Sequence, residues 1–277
     1  MTPEHGIIRG CVAVHTPRMG VEATAPDFVR PLLAGVRSLG DEIRALKPDA
    51  IVLASTHWVS TFPWYTTVLP VYEGHCVAHE APELIPGIPY KLRGDPQLAE
   101  AIISEWQAIK LPCNRNASPH YEFDYGTIVP LQYIDPGYTI PMVNVPVCLM
   151  ADLDECFRAG EAIRVAAEKL GKRVVMIASS AFAHAIVRGP ETWPPAEHMK
   201  ADAEFIQMLC DGEIAQAKSV FPSYVKTVHA EMGGRVIATM LGALETSHGQ
   251  RYMGVTHGPY GQSSASGNQS VSIRRQL

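Results

Sequence analysis

Four short apolar runs rich in β-branched residues, Ile7–Val14, Ala50–Ala54, Met142–Cys148 and Val174–Ala178, are separated by segments with helical spacing. Brief continuous apolar runs suit strands buried on both faces, and apolar residues every three or four positions suit amphipathic helices. This alternation constrains the fold more than any other feature. It predicts an α/β chain with helices layered over a central sheet.

Punctuation residues set the expected helix limits. Phe28, Val29, Leu32, Leu33, Val36, Leu39, Ile43 and Leu46 share one face of a helix opened by Asp27 and stopped at Lys47-Pro48. Asp95-Pro96 reads as an N-cap followed by proline at N1, with Leu98, Ile102, Ile103, Trp106 and Ile109 turned inward. Asp152 caps a helix that buries Phe157, Ile163 and Leu170 and ends at Gly171. Two more helices are expected, one around Phe205–Cys210 and a long one from about Pro222 to Leu244. Thr61–Leu92, with its prolines and aromatics, reads as two further strands and a surface excursion; Gly258–Gly267 reads as loop. No linker divides residues 1–277, which are expected to form one domain.

Composition narrows the function classes. With 47% hydrophobic and 18% charged residues the chain is not a disordered segment. By area scaling it folds to roughly 12,000 Å² of surface against roughly 44,000 Å² extended, a core that needs no disulfide framework. The net charge is −5 and no basic run is long enough to follow a phosphate backbone, so no nucleic-acid partner is expected. No membrane span is expected either, because Val174–Val187 is interrupted by Ser179, Ser180 and His184. The start lacks a basic and apolar leader, and the six cysteines lack regular spacing, so a reducing, cytoplasmic setting is expected.

Ligands in open α/β sheets bind beyond the carboxyl ends of strands. Three predicted strands lead there into a histidine: His15, His57 and His184. A single strand-end histidine is more often a satisfied structural residue, but three at equivalent places suit a divalent metal. Glu231, beside Gly233-Gly234 in the long helix, is the candidate carboxylate. Two glycines cost about 1 kcal/mol each inside a helix, which suggests a kink or a close backbone approach. The alternative is a Glu231 solvated at the helix edge. Two histidines and a carboxylate match the ligand set of non-haem Fe(II) oxygenases, although zinc hydrolases use similar ligands.

Gly10–Pro17, Lys47-Pro-Asp-Ala-Ile-Val-Leu-Ala-Ser-Thr-His57-Trp58, Phe123-Asp-Tyr125-Gly-Thr-Ile-Val-Pro130 and Ala178–His184 resemble the class III extradiol ring-cleavage dioxygenases. This is the superfamily of the protocatechuate 4,5-dioxygenase beta chain. The chain looks most like its homoprotocatechuate 2,3-dioxygenase and 2-aminophenol 1,6-dioxygenase members, from about residue 7 to 262. The resemblance implies a three-layer α/β/α domain around a mixed sheet, Fe(II) held by His15, His57 and Glu231, and His184 as acid/base. Tyr125 matches a tyrosine beside the site, with a core tyrosine as the plain alternative. His120 and Arg188 are weaker candidates for substrate contact. Trp58 is expected to pack, and His75, His79, His198, His248 and His257 to lie on the surface or in loops, His257 with the further option of lining the pocket. Tyr260-Gly-Gln-Ser-Ser resembles the end of an aminophenol-enzyme subunit that lacks metal ligands, whereas every ligand position is filled here.

The implied activity is opening of a catechol, aminophenol or hydroxypyridone ring with incorporation of both atoms of O2, by a homo-oligomer (a dimer or larger). Two alternatives are a zinc-dependent enzyme on the same scaffold and a non-enzymatic binding protein. A proton-shuttling His184 argues against mere binding.

Overall fold

The computed structural model describes residues 5–79, 81–189, 191–244 and 250–276. The elements run β1 (Gly6–Ala13), α1 (Arg30–Leu46), β2 (Ala50–Ser60), β3 (Trp64–Thr67), β4 (Val71–Cys76), β5 (Ile88–Arg93), α2 (Pro96–Ala108), β6 (Cys113–Asn116), α3 (Tyr125–Ile134) and β7 (Met142–Cys148). They continue with α4 (Leu153–Lys169), β8 (Arg173–Ser179), α5 (Ala196–Asp211), α6 (Ile214–Val228), α7 (Arg235–Ala243), β9 (Tyr252–Ser263) and β10 (Ser266–Arg275).

The four apolar runs become β1, β2, β7 and β8 of a six-stranded sheet in the order β7-β2-β8-β1-β10-β9. The first four of these strands are parallel, and β10 and β9 add an antiparallel hairpin beside β1. Alternate residues face opposite layers, as the pleat requires. Ile51, Leu53, Val175 and Ile177 join a core with α1 and α3, while Val52, Ala54, Met176 and Ala178 join one with α2, α4 and α7. Helices therefore cover both faces of a mixed sheet, the three-layer α/β/α arrangement.

Several local expectations need correction. The segment from Gly258 to Gly267 is not a loop but the turn end of the β9–β10 hairpin, turning at Ser264 and Ala265 with φ of 52° and 64°. The hairpin buries the polar side chains of Asn268 and Ser272, and their hydrogen bonds with Ser266, His257 and Glu42 stand in for the apolar signature of a strand. Asp27 does not cap α1, which starts at Arg30 after a turn, although the stop at Lys47 holds with φ of 49°. Ile109 is the C-cap of α2 and is exposed rather than turned inward. Thr61–Leu92 contributes to three strands rather than two, β3 pairing with β6 and β4 with β5 outside the main sheet.

The long C-terminal helix is two helices. Pro222 lies inside α6, and the chain leaves helical geometry at His229 (φ 49°). A single 3-10 turn, Glu231–Gly234, with Met232, Gly233 and Gly234 at positive φ, then leads into α7. Glycine adopts that region freely and Met232 does not, so the glycine pair supplies most of the break. His198 and His257 are buried rather than on the surface, and His257 binds Ser38 and Ser272 and takes no part in the cluster described below. His75 and His79 are exposed, and His248 lies outside the described residues.

Candidate metal centre and active site

Neighbouring strands β2, β8 and β1 deliver their side chains to one rim of the sheet. His15 lies two residues past the end of β1, and Ser180 and Ala181 follow β8. His57 lies inside β2, where the pairing with β7 slips between Ser55 and Val59. Such an irregularity bends a strand and re-aims a side chain. Glu231 comes from outside the sheet, placed by the break between α6 and α7.

The donor atoms converge. His15 Nε2 lies 3.1 Å from His57 Nε2 and 3.3 Å from Glu231 Oε1, and His57 Nε2 lies 3.6 Å from the same oxygen. Ligands at right angles on one ion, each about 2.1 Å away, would stand about 3 Å apart. The trio thus has the spacing that three donors to one cation would show. His184 Nε2 approaches Glu231 Oε1 to 3.4 Å. The Tyr125 ring lies 3.9 Å from the His57 ring, between centroids and tilted by 36°.

Glu231 is only 2% exposed. Its Oε2 accepts the Ala181 N–H at 2.6 Å and the Ser180 hydroxyl at 3.4 Å, and Thr56 donates to Oε1 at 3.3 Å. Burial alone would raise this carboxyl's pKa, but His15, then His184 and His57, outweigh it and hold the group below the usual carboxylate range. Burial pushes His57 down to about 3, with His15 and His184 acting in the same direction against Glu231. Burial likewise lowers His184, opposed by Glu231. The His57 and His184 imidazoles are therefore neutral at neutral pH. No Lys or Arg of the described residues pairs with the buried carboxylate, so the donor set lacks a fixed cation. An uncompensated buried charge is expensive, and a divalent ion fits this cluster on both spacing and charge.

Sequence reasoning missed the groups behind these donors. Asp124 caps α3 by accepting Thr127 N–H at 3.1 Å, and also accepts the Ser55 hydroxyl at 2.5 Å. Ser55 Oγ in turn accepts the His57 N–H at 3.1 Å. At Gly126 a Cβ would stand 2.6 Å from Ser55 Oγ and 3.0 Å from His57 Cδ2, so only glycine leaves the His57 ring its place. The Asp-Tyr-Gly-Thr motif signalled this corner without showing that it supports a neighbouring strand. Trp58 packs against Tyr121 at 5.0 Å, in keeping with its expected role. His120 and Arg188 are exposed, and neither joins the cluster's hydrogen bonds or ring contacts among the described residues.

A layered α/β/α domain with a histidine–histidine–carboxylate rim and a further histidine beside it is the framework of a ring-opening oxygenase. The chain belongs to the family described as the catalytic LigB subunit of aromatic ring-opening dioxygenase, whose model matches residues 10–266. It is 26% identical to the 2-aminophenol 1,6-dioxygenase beta subunit of Pseudomonas sp over 86% of each chain. It is 28% identical to the alpha subunit of that enzyme and 21% to the 3,4-dihydroxyphenylacetate 2,3-dioxygenase of Escherichia coli, each over 76% of this chain and 79% of the relative. The fold is shared with an uncharacterized protein of Escherichia coli K12, JW3007, at a TM-score of 0.68 and 18% identity, covering 96% of this chain and 99% of that one.

Proposed function

We propose that this enzyme is an Fe(II)-dependent extradiol dioxygenase that opens a catechol, aminophenol or hydroxypyridone ring and incorporates both atoms of O2. The observation that carries the reading is the convergence of His15, His57 and Glu231 within metal-ligand spacing, with His184 facing the same carboxylate. His15 Nε2, His57 Nε2 and Glu231 Oε1 would hold the iron. When bound, Fe(II) supplies the electron-transfer route between the aromatic ring and O2.

The chain's own residues supply charge and proton control. A dication with one carboxylate leaves one positive charge, which a substrate chelating as a monoanion neutralises. His184, neutral because it is buried, accepts the second substrate proton at Nε2 and returns it as the ring opens. Tyr125, packed against His57, donates its hydroxyl to oxygen that gains charge on the substrate. Relatives named as alpha and beta subunits support assembly of this chain into a dimer or larger oligomer.

Anaerobic loading with Fe(II), then addition of air and a panel of catechols, aminophenols and hydroxypyridones, tests the reading. The expected result is one O2 consumed per ring opened, with a new product absorbance, and no turnover after loading with zinc. Stoichiometric iron binding without O2 uptake on any adjacent-donor aromatic would overturn it.

A further inference from the structure

The turn that carries His184 is tied down at each backbone N–H from Ser180 to His184. Three of these bonds go to backbone: Ser180 to Ala13 O at 3.2 Å, Phe182 to Gly267 O at 2.9 Å and His184 to Val228 O at 3.3 Å. The other two go to carboxylates. Ala181 donates to Glu231 Oε2 at 2.6 Å and Ala183 to Asp202 Oδ2 at 3.1 Å. Glu231 belongs to the metal cluster. Asp202, on α5, does not.

Asp202 is fully buried, and no Lys or Arg of the described residues pairs with it. Neutral donors hold it instead: the Tyr224 hydroxyl on Oδ1 at 2.7 Å and the Tyr260 hydroxyl on Oδ2 at 2.6 Å. The neighbouring β10 leaves this group no slack, since a Cβ at Gly267 would come within 2.3 Å of Asp202 Oδ2. An apolar residue would fill the volume without the desolvation cost of a carboxylate. What Asp202 adds is a fixed acceptor one residue before His184.

We propose that Asp202 is a positioning residue for His184: its Oδ2 fixes the Ala183 peptide, and the Tyr224 and Tyr260 hydroxyls lock that carboxylate in place. The inference rests on the reading of His184 as the proton-transfer group. Asp202 touches no reacting atom, so its loss acts on turnover and not on binding. Displacement of a reacting group by about 1 Å lowers rate on the order of 100-fold.

The test compares wild type, Asp202→Ala, Asp202→Asn, His184→Ala and the Asp202→Ala/His184→Ala double variant as full-length protein. Asp202→Ala should keep iron content and KM within about threefold and lose kcat by about 30- to 100-fold. It should add nothing on the His184→Ala background, and Asp202→Asn, which can still offer Ala183 an oxygen, should recover most of the loss. In the metal-free protein, Asp202→Ala should remove hydrogen-exchange protection of the Ala183 amide and shift the His184 ring resonances. If Asp202→Ala does not fold, Tyr260→Phe takes its place, with a smaller loss of kcat at unchanged KM. A folded variant with wild-type kcat, or equal losses with and without His184, overturns the proposal. If wild type opens no aromatic ring, the functional reading fails, and the Ala183 exchange and His184 resonances still decide the positioning role.

Discussion

Glu231 binds the backbone N–H of Ala181 through Oε2 at 2.6 Å while its Oε1 faces the imidazoles of His15 and His57. One side chain thus joins the donor cluster to the turn that presents His184. Glu231→Gln retains an oxygen for Ala181 but removes the charge. Metal affinity is expected to fall at least about 100-fold with the fold kept, since a direct ligand should matter more than the outer partners worth 10- to 100-fold. Calorimetric titration of the metal-free variant checks this.

Metal should also stabilise the fold, because it compensates a buried carboxylate. Ligand in 100-fold excess over Kd adds about 2.7 kcal/mol. Chelation of the wild type is therefore expected to lower Tm by several degrees, and Glu231→Gln to show little response. Equal Tm changes in both proteins, measured by scanning calorimetry, would place the effect elsewhere.

His184→Ala removes a proton carrier that is not among the three ligands. Iron content should stay at the wild-type level while kcat drops by about 100- to 10,000-fold, the range for a lost general acid–base group. Parallel iron analysis and oxygen-electrode rates separate this from ligand loss.

Gly126→Ala tests the support of His57. The new methyl meets Ser55 Oγ at 2.6 Å and His57 Cδ2 at 3.0 Å. Despite the better helix propensity of alanine, the crowding should cost about 1–3 kcal/mol. Metal affinity should fall roughly tenfold, in line with loss of an outer support. Wild-type affinity would show that His57 keeps its position without this gap.

Away from the site, Glu42 sets a pH dependence. Its hydrogen bond with His257, at 3.1 Å, and bonds from Arg9 and Ser272 outweigh its burial and lower it from 4.5 to about 2. A depressed carboxylate stabilises the folded state fully above about pH 4.5 and loses that contribution as pH falls towards 2. Allowing for partial exposure, Glu42→Gln should cost about 1–2 kcal/mol at pH 7 and less at pH 3. Urea unfolding at both pH values gives the comparison.

The central strands were legible because Ile, Val and Leu fill both faces of the parallel part of the sheet. The hairpin after Tyr252 was not, since Asn268, Ser270 and Ser272 are buried polar residues, Asn268 and Ser272 through hydrogen bonds, and carry no apolar signal. Residue type and strand position pointed to His15, His57 and His184. The glycine pair marked a disturbance at Glu231 without showing that the helix stops at Val228. Partners such as Thr56, Ser180 and the Ala181 N–H were invisible, because backbone donors and short hydroxyl side chains reveal their use only after the chain is folded.

The placement of β10 between β1 and β9 has a consequence for biosynthesis. The strand leading into His15 is made long before its neighbour in the sheet, which also clamps the turn before His184. His15, His57 and Glu231 all precede β10 in the chain, so the sheet edge beside the strand that leads into His15 stays open during synthesis until residues 266–275 emerge and slot in there.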